Sequence, residues 1–179
     1  MELAIFYGST TGNTQEAAEM IHDALDGYIS YMADIAGAEP EDLLKYDVLI
    51  LGVPTWDVGQ LQMDWEAMLP QMEGLDFTGK RVALFGMGDS EVYSLNFLDA
   101  LGLLWNEIKE MGSPQLIGIW STHGYDYDES LGKYDNDHFL GLGLDEENQM
   151  ELHEQRIAAW VAQLKRELGL TEPKSEFSV

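Results

Sequence analysis

The amino-acid sequence predicts an open, doubly wound α/β fold, and two patterns along the chain support this prediction. Short apolar runs alternate with stretches in which apolar residues recur every three to four positions, which is typical of strands alternating with helices. One run, residues 47–54, is apolar almost throughout, as expected for a strand buried under helices on both faces of a parallel sheet. In such folds the crossover connections are right-handed, and ligands bind outside the carboxyl ends of the strands.

The short apolar runs are the predicted strands. Five are placed at Leu3–Tyr7, Tyr28–Met32, Val48–Val53, Arg81–Gly86 and Leu116–Trp120. After the fifth comes an acidic, tyrosine-rich stretch, residues 121–149, which carries a second short apolar run at Phe139–Leu144. We therefore expect an inserted segment that splits the last strand in two.

Four amphipathic helices and one short helix connect these strands. The apolar residues with helical spacing are Ala17, Ala18, Ile21 and Leu25; Trp65, Met68, Leu69 and Met72; Phe97, Leu101, Leu104, Trp105 and Ile108; and Ile157, Trp160, Val161, Leu164 and Leu168. The short helix is expected from Pro40 to Leu44, because proline is favoured at the first helical position. Residues 1–170 should form one domain, followed by a mobile tail at residues 171–179.

Charge and composition limit the function classes. The 179 residues include 33 acidic and 9 basic side chains, for a formal net charge of −24 at pH 7. This charge disfavours binding to nucleic acid and to anionic membranes and favours basic protein partners. Cysteine is absent, which excludes disulfides and thiolate metal sites. No apolar run reaches membrane-spanning length and no secretion signal opens the chain, so we expect a cytoplasmic monomer.

Four hydroxyl side chains lie between the first strand and the first helix, in the loop Gly8–Thr14. They belong to Ser9, Thr10, Thr11 and Thr14. Hydroxyl donors beside the unpaired N–H groups of a helix start suit a phosphate group. An ATP-type P-loop does not fit, because only three residues separate Gly8 from Gly12 and Asn13 stands where lysine is required. The alternative is an ordinary helix start with Asn13 or Thr14 as N-cap.

Two further loops at the same predicted edge of the sheet each carry an aromatic residue. They are Pro54–Met63, with Trp56, and Gly86–Asn96, with Tyr93. Either aromatic side chain alone would be expected to pack against its own loop, but two of them could clamp a flat ring. A phosphate site and a ring site together suit a nucleotide-sized cofactor.

The acidic insertion partly matches the spacing of a calcium-binding loop. Its residues at the first, third, fifth and twelfth positions of an EF-hand loop would be Asp126, Asp128, Ser130 and Asp137. The sixth position, which requires glycine, is Leu131, and no helix pair flanks the stretch. A solvated acidic loop is therefore the favoured interpretation. The four histidines are scattered and form no metal motif.

The sequence resembles the long-chain flavodoxins over about residues 1–170. The resemblance rests on the motifs GSTTGNT, PTWDVGQLQ and GMGDSEVYSLNF, together with the segments WSTHGYDYDES and LGLDEENQ. It implies a five-stranded parallel sheet of order 2-1-3-4-5 and one non-covalently bound FMN. This sequence departs from relatives at His123, where they often carry Asp, and at Leu98, where Gln can occur.

The resemblance also implies which residues contact the FMN. The phosphate would be held by Ser9, Thr10, Thr11, Gly12, Asn13 and Thr14. The isoalloxazine would be framed by Pro54, Thr55, Trp56, Asp57, Val58, Gly59, Gly88, Asp89, Tyr93, Asn96, Leu98 and Glu147. Within this set, Trp56 would cover the inner face of the ring and Tyr93 the outer face. Backbone at Asp89 and Leu98 would meet the pyrimidine edge, and Asn96 and Glu147 would contact the ribityl chain or the ring edge.

The function implied by the resemblance is one-electron transfer at low potential, through the semiquinone and hydroquinone forms of FMN. A basic NADPH-dependent flavodoxin/ferredoxin reductase would be the donor, low-potential redox enzymes would be the acceptors, and the protein would turn over no substrate of its own. In the family, the peptide in the turn corresponding to Trp56–Gly59 flips on reduction, which favours φ > 0 at Val58. A β-branched residue resists that conformation by roughly 1–3 kcal/mol.

Two other classes share this topology. An FMN-dependent NAD(P)H:quinone reductase would need basic residues for the pyridine nucleotide, and none of the three loops has any. A signalling receiver domain needs acidic residues after the first strand and a phosphorylatable Asp after the third. Residues 7–9 are Tyr-Gly-Ser and residues 53–55 are Val-Pro-Thr, so the receiver class is rejected.

Overall fold

The computed structural model describes residues 1–56 and 58–170. Asp57 and the predicted mobile tail, residues 171–179, therefore lie outside the described residues. The strands in this part of the chain are β1 (Leu3–Tyr7), β2 (Ile29–Asp34), β3 (Val48–Trp56), β4 (Gln60–Leu61), β5 (Arg81–Gly88), β6 (Gln115–Ile117), β7 (Trp120–Ser121), β8 (Lys133–Asp135), β9 (His138–Phe139) and β10 (Leu142–Asp145). The α-helices are α1 (Asn13–Ala24), α2 (Met63–Met68), α3 (Asp99–Ile108), α4 (Glu146–Gln149) and α5 (His153–Leu168). Short 3-10 helices span Ile35–Gly37, Pro40–Lys45, Leu69–Met72 and Met150–Leu152.

The central sheet has the predicted order and the predicted split strand. Its strands lie in the order β10-β5-β3-β1-β2, all parallel, and β6 pairs with β5 as well. The fifth strand position is thus filled twice, by β6 opposite residues 81–83 and by β10 opposite residues 85–88. The doubly wound fold of order 2-1-3-4-5 is confirmed.

The two faces of the sheet bury separate apolar clusters, as the nearly continuous apolar strands predict. On one face, Phe6 and Leu51 pack in a cluster with Trp65 of α2 and Leu104 of α3. On the other face, residues of the same strands pack in a cluster with α1 and α5, including the fully buried Trp160. The sheet edge that carries the carboxyl ends of the strands lies between these two layers.

Several predicted element boundaries were wrong. Strands β3 and β5 continue past their predicted ends at Val53 and Gly86 to Trp56 and Gly88. Helix α2 stops at Met68 and continues as a 3-10 turn at Pro70, which has no N–H to donate to a helical carbonyl.

Leu98 and Gly141 were predicted to lie within regular elements, but both lie outside them. Helix α3 begins at Asp99, not at Phe97, because Leu98 has the left-handed φ of 58°. The predicted run Phe139–Leu144 is divided by Gly141, whose Cα lies so close to the Leu84 carbonyl that no Cβ would fit. Leu98 is also the only non-glycine residue with positive φ among residues 1–56 and 58–170.

The inserted segment forms a small antiparallel sheet of order β7-β9-β8 and packs on the core. Phe139 lies 5.3 Å from Tyr127 and 5.2 Å from Tyr125, measured between ring centroids. The Tyr125 hydroxyl donates a 2.6 Å hydrogen bond to the Gly143 carbonyl, and burial raises the pKa of this phenol to about 12. Tyr125 and Tyr127 of the insertion therefore pack against the core, and the Tyr125 hydrogen bond joins the insertion to β10.

The structure also bears on membrane insertion and on metal binding. No helix within residues 1–56 and 58–170 has the length and apolar character needed to span a membrane. In the same residues, no group of three or more His, Asp or Glu side chains is arranged to hold a metal ion.

Candidate functional site

A cleft opens where the carboxyl ends of β1, β3, β5 and β10 meet. It is lined by Thr10, Thr11, Asn13, Thr14, Pro54, Thr55, Trp56, Met87, Gly88, Asp89, Tyr93, Glu146 and Glu147. All but two of these residues were predicted as cofactor contacts from the sequence. Met87 and Glu146 were missed, although each lies in one of the quoted segments and directly precedes a predicted contact residue, Gly88 or Glu147.

The loop after β1 leaves the first turn of α1 open. The N-cap is Gly12, with φ of 94°, and no side chain caps the helix. The alternative prediction of Asn13 or Thr14 as N-cap is therefore wrong. The Ser9 hydroxyl accepts the Gly12 N–H at 3.1 Å, which stabilises the turn. Thr10, Thr11 and Thr14 line the cleft beside this uncapped helix start, and hydroxyl groups next to a helix N-terminus suit an anion.

Gln62 supports this loop from behind, a role that no sequence motif indicates. The side chain is fully buried. Its amide nitrogen donates to the Thr10 hydroxyl at 3.2 Å, and its amide oxygen accepts the N–H groups of Asp64 and Trp65 at 3.1 and 3.3 Å. Gln62 thus caps α2 and positions a cleft hydroxyl with the same side chain. Glutamine is an uncommon N-cap, so this role was not predictable from local sequence patterns.

Two aromatic side chains line the ring end of the cleft. Trp56 is the last residue of β3, where it pairs with Gln60 in a short hairpin. Tyr93 belongs to a turn in which its N–H donates to the Asp89 carbonyl and its own carbonyl accepts the Asn96 N–H, both at 3.0 Å. The tyrosine is 37% exposed. Trp56 and Tyr93 line the same cleft, as the clamp predicted from the two loops requires.

A buried carboxylate joins the Tyr93 loop to the end of β10. Asp145 is fully buried and accepts the Ser90 hydroxyl at 2.5 Å and the Ser90 N–H at 3.2 Å. Its other oxygen accepts the N–H and the side-chain amide of Asn148 at 3.2 and 2.9 Å. The Asn148 side-chain amide also donates a 3.0 Å hydrogen bond to the Asp89 carboxylate. This network was also missed, since only tertiary packing brings these residues together.

The pKa of Asp89 reflects this network. Burial alone would raise it, but the N–H groups of Val92 and Glu91 and the Asn148 amide outweigh burial and hold the pKa below 3.8. The carboxylate therefore stabilises the fold above the unfolded-state pKa, and this contribution is lost as the pH falls through the folded-state value.

We expect Asp89→Asn to lower the free energy of unfolding near neutral pH and to have a much smaller effect at a pH below the folded-state pKa of Asp89. Urea unfolding of both proteins at neutral pH and in acid, well below the ordinary pKa of an aspartate, measures the difference. A deficit in the variant that is equally large at both pH values would contradict the assigned charge interaction.

The remaining predicted contact residues lie around the cleft and not among its described lining residues. Val58 is 70% exposed and Gly59 has φ of 75° at the hairpin turn. Asn96 donates to Asp99 at 3.1 Å. Leu98 is fully buried, with its side chain against the backbone of Gly88 and Gly143. Ser9 and Gly12 shape the first loop, and Asp57 lies outside the described residues.

Comparison with known proteins identifies the family. The Flavodoxin family model matches residues 5–160. The chain belongs to the flavodoxin family. Flavodoxin 1 of Escherichia coli strain K12 is 46% identical over 168 residues, which cover 94% of this chain and 95% of that protein. A flavodoxin of Nostoc sp. strain PCC 7120 is 45% identical over 169 residues, covering 94% of this chain and 98% of the relative.

A solved structure agrees with this assignment. The flavodoxin of Fusobacterium nucleatum, described as bound to flavin mononucleotide, matches with a TM-score of 0.85 and 32% identity, covering 93% of this chain and 98% of that one. The predicted membership of the flavodoxin family is thus confirmed, while the long-chain subtype stays a prediction. Flavodoxins are electron carriers, and the cleft lies where the flavodoxin fold places its ligand.

Proposed function

We propose that this flavodoxin binds one FMN in the cleft and carries single electrons at low potential between partner proteins. The observation that supports this most is the joining, in one cleft, of an uncapped helix start with threonine hydroxyls and of Trp56 and Tyr93. FMN would supply the one-electron chemistry, and the protein would bind and tune it.

The phosphate of FMN would lie against the start of α1. Donors there are the hydroxyls of Thr10, Thr11 and Thr14 and the N–H groups of the first helical turn. No lysine or arginine is among the described residues that line the cleft. Neutral dipoles can hold a phosphate monoester at a helix start, where the helix dipole favours negative charge.

The isoalloxazine would lie between Trp56 and Tyr93. The carboxylates of Glu146 and Glu147 line the same cleft, and that of Asp145 is buried behind it. These negative charges disfavour a further negative charge on a bound ring, and so they lower its potential. For one electron, each tenfold change in the affinity for the reduced flavin relative to the oxidised flavin corresponds to about 59 mV in reduction potential.

The net charge of −24 favours a basic NADPH-dependent flavodoxin/ferredoxin reductase as the electron donor, with low-potential redox enzymes as the acceptors. These encounters would take place in the cytoplasm and would be brief and sensitive to salt. The alternative, an FMN-dependent NAD(P)H:quinone reductase, lacks support because the described lining of the cleft offers no cationic side chain for a pyridine nucleotide. We therefore propose an electron carrier without substrate turnover.

An anaerobic dithionite titration of the purified protein, followed by absorbance, tests this function. We expect one bound FMN per chain and reduction in two separate one-electron stages, the first giving long-wavelength absorbance. Reduction in a single two-electron stage would favour the quinone reductase. A protein that takes up no FMN would contradict the cofactor assignment.

The backbone conformation of the turn at Val58 should affect the first one-electron reduction. Replacing Val58 by glycine removes the resistance of a β-branched residue to positive φ, worth roughly 1–3 kcal/mol. We expect Val58→Gly to increase the maximum fraction of one-electron-reduced protein in the same titration. Val58→Ile, which keeps the branched side chain, should leave the fraction unchanged. An equal fraction in the glycine variant and the wild type would contradict the role given to Val58.

A further inference from the structure

A second cavity lies beside the cofactor cleft, between α1 and the start of α5. It has a volume of about 270 Å³, and it shares two lining residues with the cleft, Asn13 and Glu146. Asn13 is the first residue of α1, and Glu146 is the first residue of α4. Glu146 therefore lies at the boundary between the two cavities, near the helix start where the phosphate of FMN is proposed to bind.

The charges around this cavity favour movement of the Glu146 carboxylate towards the cleft. Glu16, Glu151 and Glu154 also line the cavity, and no lysine or arginine is among its described lining residues. Like charges repel, whereas the uncapped first turn of α1 attracts an anion. A side-chain carboxylate that reached this turn would take the place of a phosphate group. Glu146 could thus compete with the cofactor from within the chain.

His153 lies where it can restrain this carboxylate. It is the first residue of α5 and is buried, with its Nδ1 atom 3.3 Å from Oε2 of Glu146. Its Nε2 atom is also buried and has no hydrogen-bond partner among the described residues. A buried N–H group without an acceptor is costly, so this environment favours a proton on Nδ1, beside the Glu146 carboxylate, over one on Nε2.

We propose that His153 is a positioning residue that holds the Glu146 carboxylate away from the start of α1 and so keeps the phosphate site open. This proposal rests on the proposed function and deepens it, because it explains how an anionic cofactor can bind beside a carboxylate. His153 is not among the described residues that line the cleft, and it acts through Glu146. The restraint therefore matters for FMN and much less for riboflavin, which has no phosphate group.

The test is a double-mutant cycle on the full-length apoprotein, with wild type, His153→Ala, Glu146→Gln and the double variant. Each protein is titrated with FMN and with riboflavin, and binding is followed by quenching of flavin fluorescence. We expect His153→Ala to weaken FMN binding about fivefold or more and to change riboflavin binding by less than about twofold. In the Glu146→Gln background, His153→Ala should change FMN binding by less than about twofold, because the competing charge is gone.

The matched control is His138→Ala, which removes a histidine from another carboxylate. The Nδ1 atom of His138 lies 2.8 Å from Oδ1 of Asp135 in the inserted segment, and neither residue is among the described residues that line the cleft. This variant should bind FMN as the wild type does. His153→Asn keeps an N–H donor near the position of Nδ1, and it should recover most of the FMN affinity that His153→Ala loses. An asparagine variant as weak as the alanine variant would overturn the proposal.

Three further outcomes would overturn the proposal and leave the proposed function intact. They are an unchanged FMN affinity in His153→Ala, an equal loss of affinity for riboflavin, and an equal loss in the Glu146→Gln background. If His153→Ala did not fold, Glu146→Gln alone would decide. It should bind FMN at least as tightly as the wild type, and weaker binding would make Glu146 a cofactor ligand and not a competitor. A wild-type protein that takes up no FMN would overturn the proposed function, and this proposal with it.

Discussion

Replacing Asp145 by alanine is expected to lower the free energy of unfolding by about 3 kcal/mol, the largest effect on stability predicted here. The carboxylate is fully buried and accepts two hydrogen bonds from Ser90 and two from Asn148. Alanine leaves the two buried donors of Ser90 without this acceptor and removes the acceptor that the Asn148 N–H uses, and buried donors without an acceptor carry their full desolvation penalty. Urea unfolding at neutral pH, followed by tryptophan fluorescence, measures the change.

The same substitution should weaken cofactor binding. Ser90 and Asn148 connect Asp145 to the loop of Tyr93 and Asp89, so releasing them loosens one wall of the cleft. Asp126→Ala, which removes an exposed carboxylate from the insertion, is the control and should change stability by less than about 0.5 kcal/mol. A loss below about 1 kcal/mol in Asp145→Ala would contradict the importance of this network.

Replacing Trp56 by alanine is expected to weaken FMN binding about 10- to 100-fold. Stacking of an aromatic side chain on a flat base is worth about 1–3 kcal/mol, and each 1.4 kcal/mol is about tenfold in affinity. Trp56 ends β3 at the cleft and pairs with Gln60. Titration of the apoprotein with FMN, followed by quenching of flavin fluorescence, gives both dissociation constants.

The control for this experiment is Trp56→Phe, which keeps an aromatic face at the same backbone position. We expect its affinity to lie within about threefold of the wild type, because most of the stacking surface remains. If Trp56→Ala bound FMN as tightly as the wild type, the tryptophan would not contact the ring, and the clamp between Trp56 and Tyr93 would be wrong.

The fold and the cleft were predictable because their signals lie in consecutive residues. The apolar run of β3 and the hydroxyl cluster before α1 each occupy one short segment, and local patterns of this kind report both burial and helix starts. Since the carboxyl ends of parallel strands share one edge, placing the strands was enough to bring the three predicted loops together.

What the sequence did not reveal depends on contacts between distant segments. Gln62 and Asp145 are fully buried polar residues whose hydrogen-bond partners include Thr10 and Ser90, which lie on other loops. The left-handed backbone of Leu98 ended a helical pattern that periodicity alone would have extended. Burial of a polar group and an unusual φ are both set by tertiary packing, which a single sequence does not display.

The split fifth strand has a consequence for how the molecule assembles. Strand β6 reaches β5 soon after α3, whereas β10 can pair with β5 only after the whole insertion has been accommodated. Closing the longer loop carries the larger entropic penalty, so we expect β10 to join the sheet late in folding. Asp145, Glu146 and Glu147 sit at or just after the end of β10. The acidic side of the cleft would therefore be completed last, and a chain able to hold the flavin firmly would be one that has already finished folding.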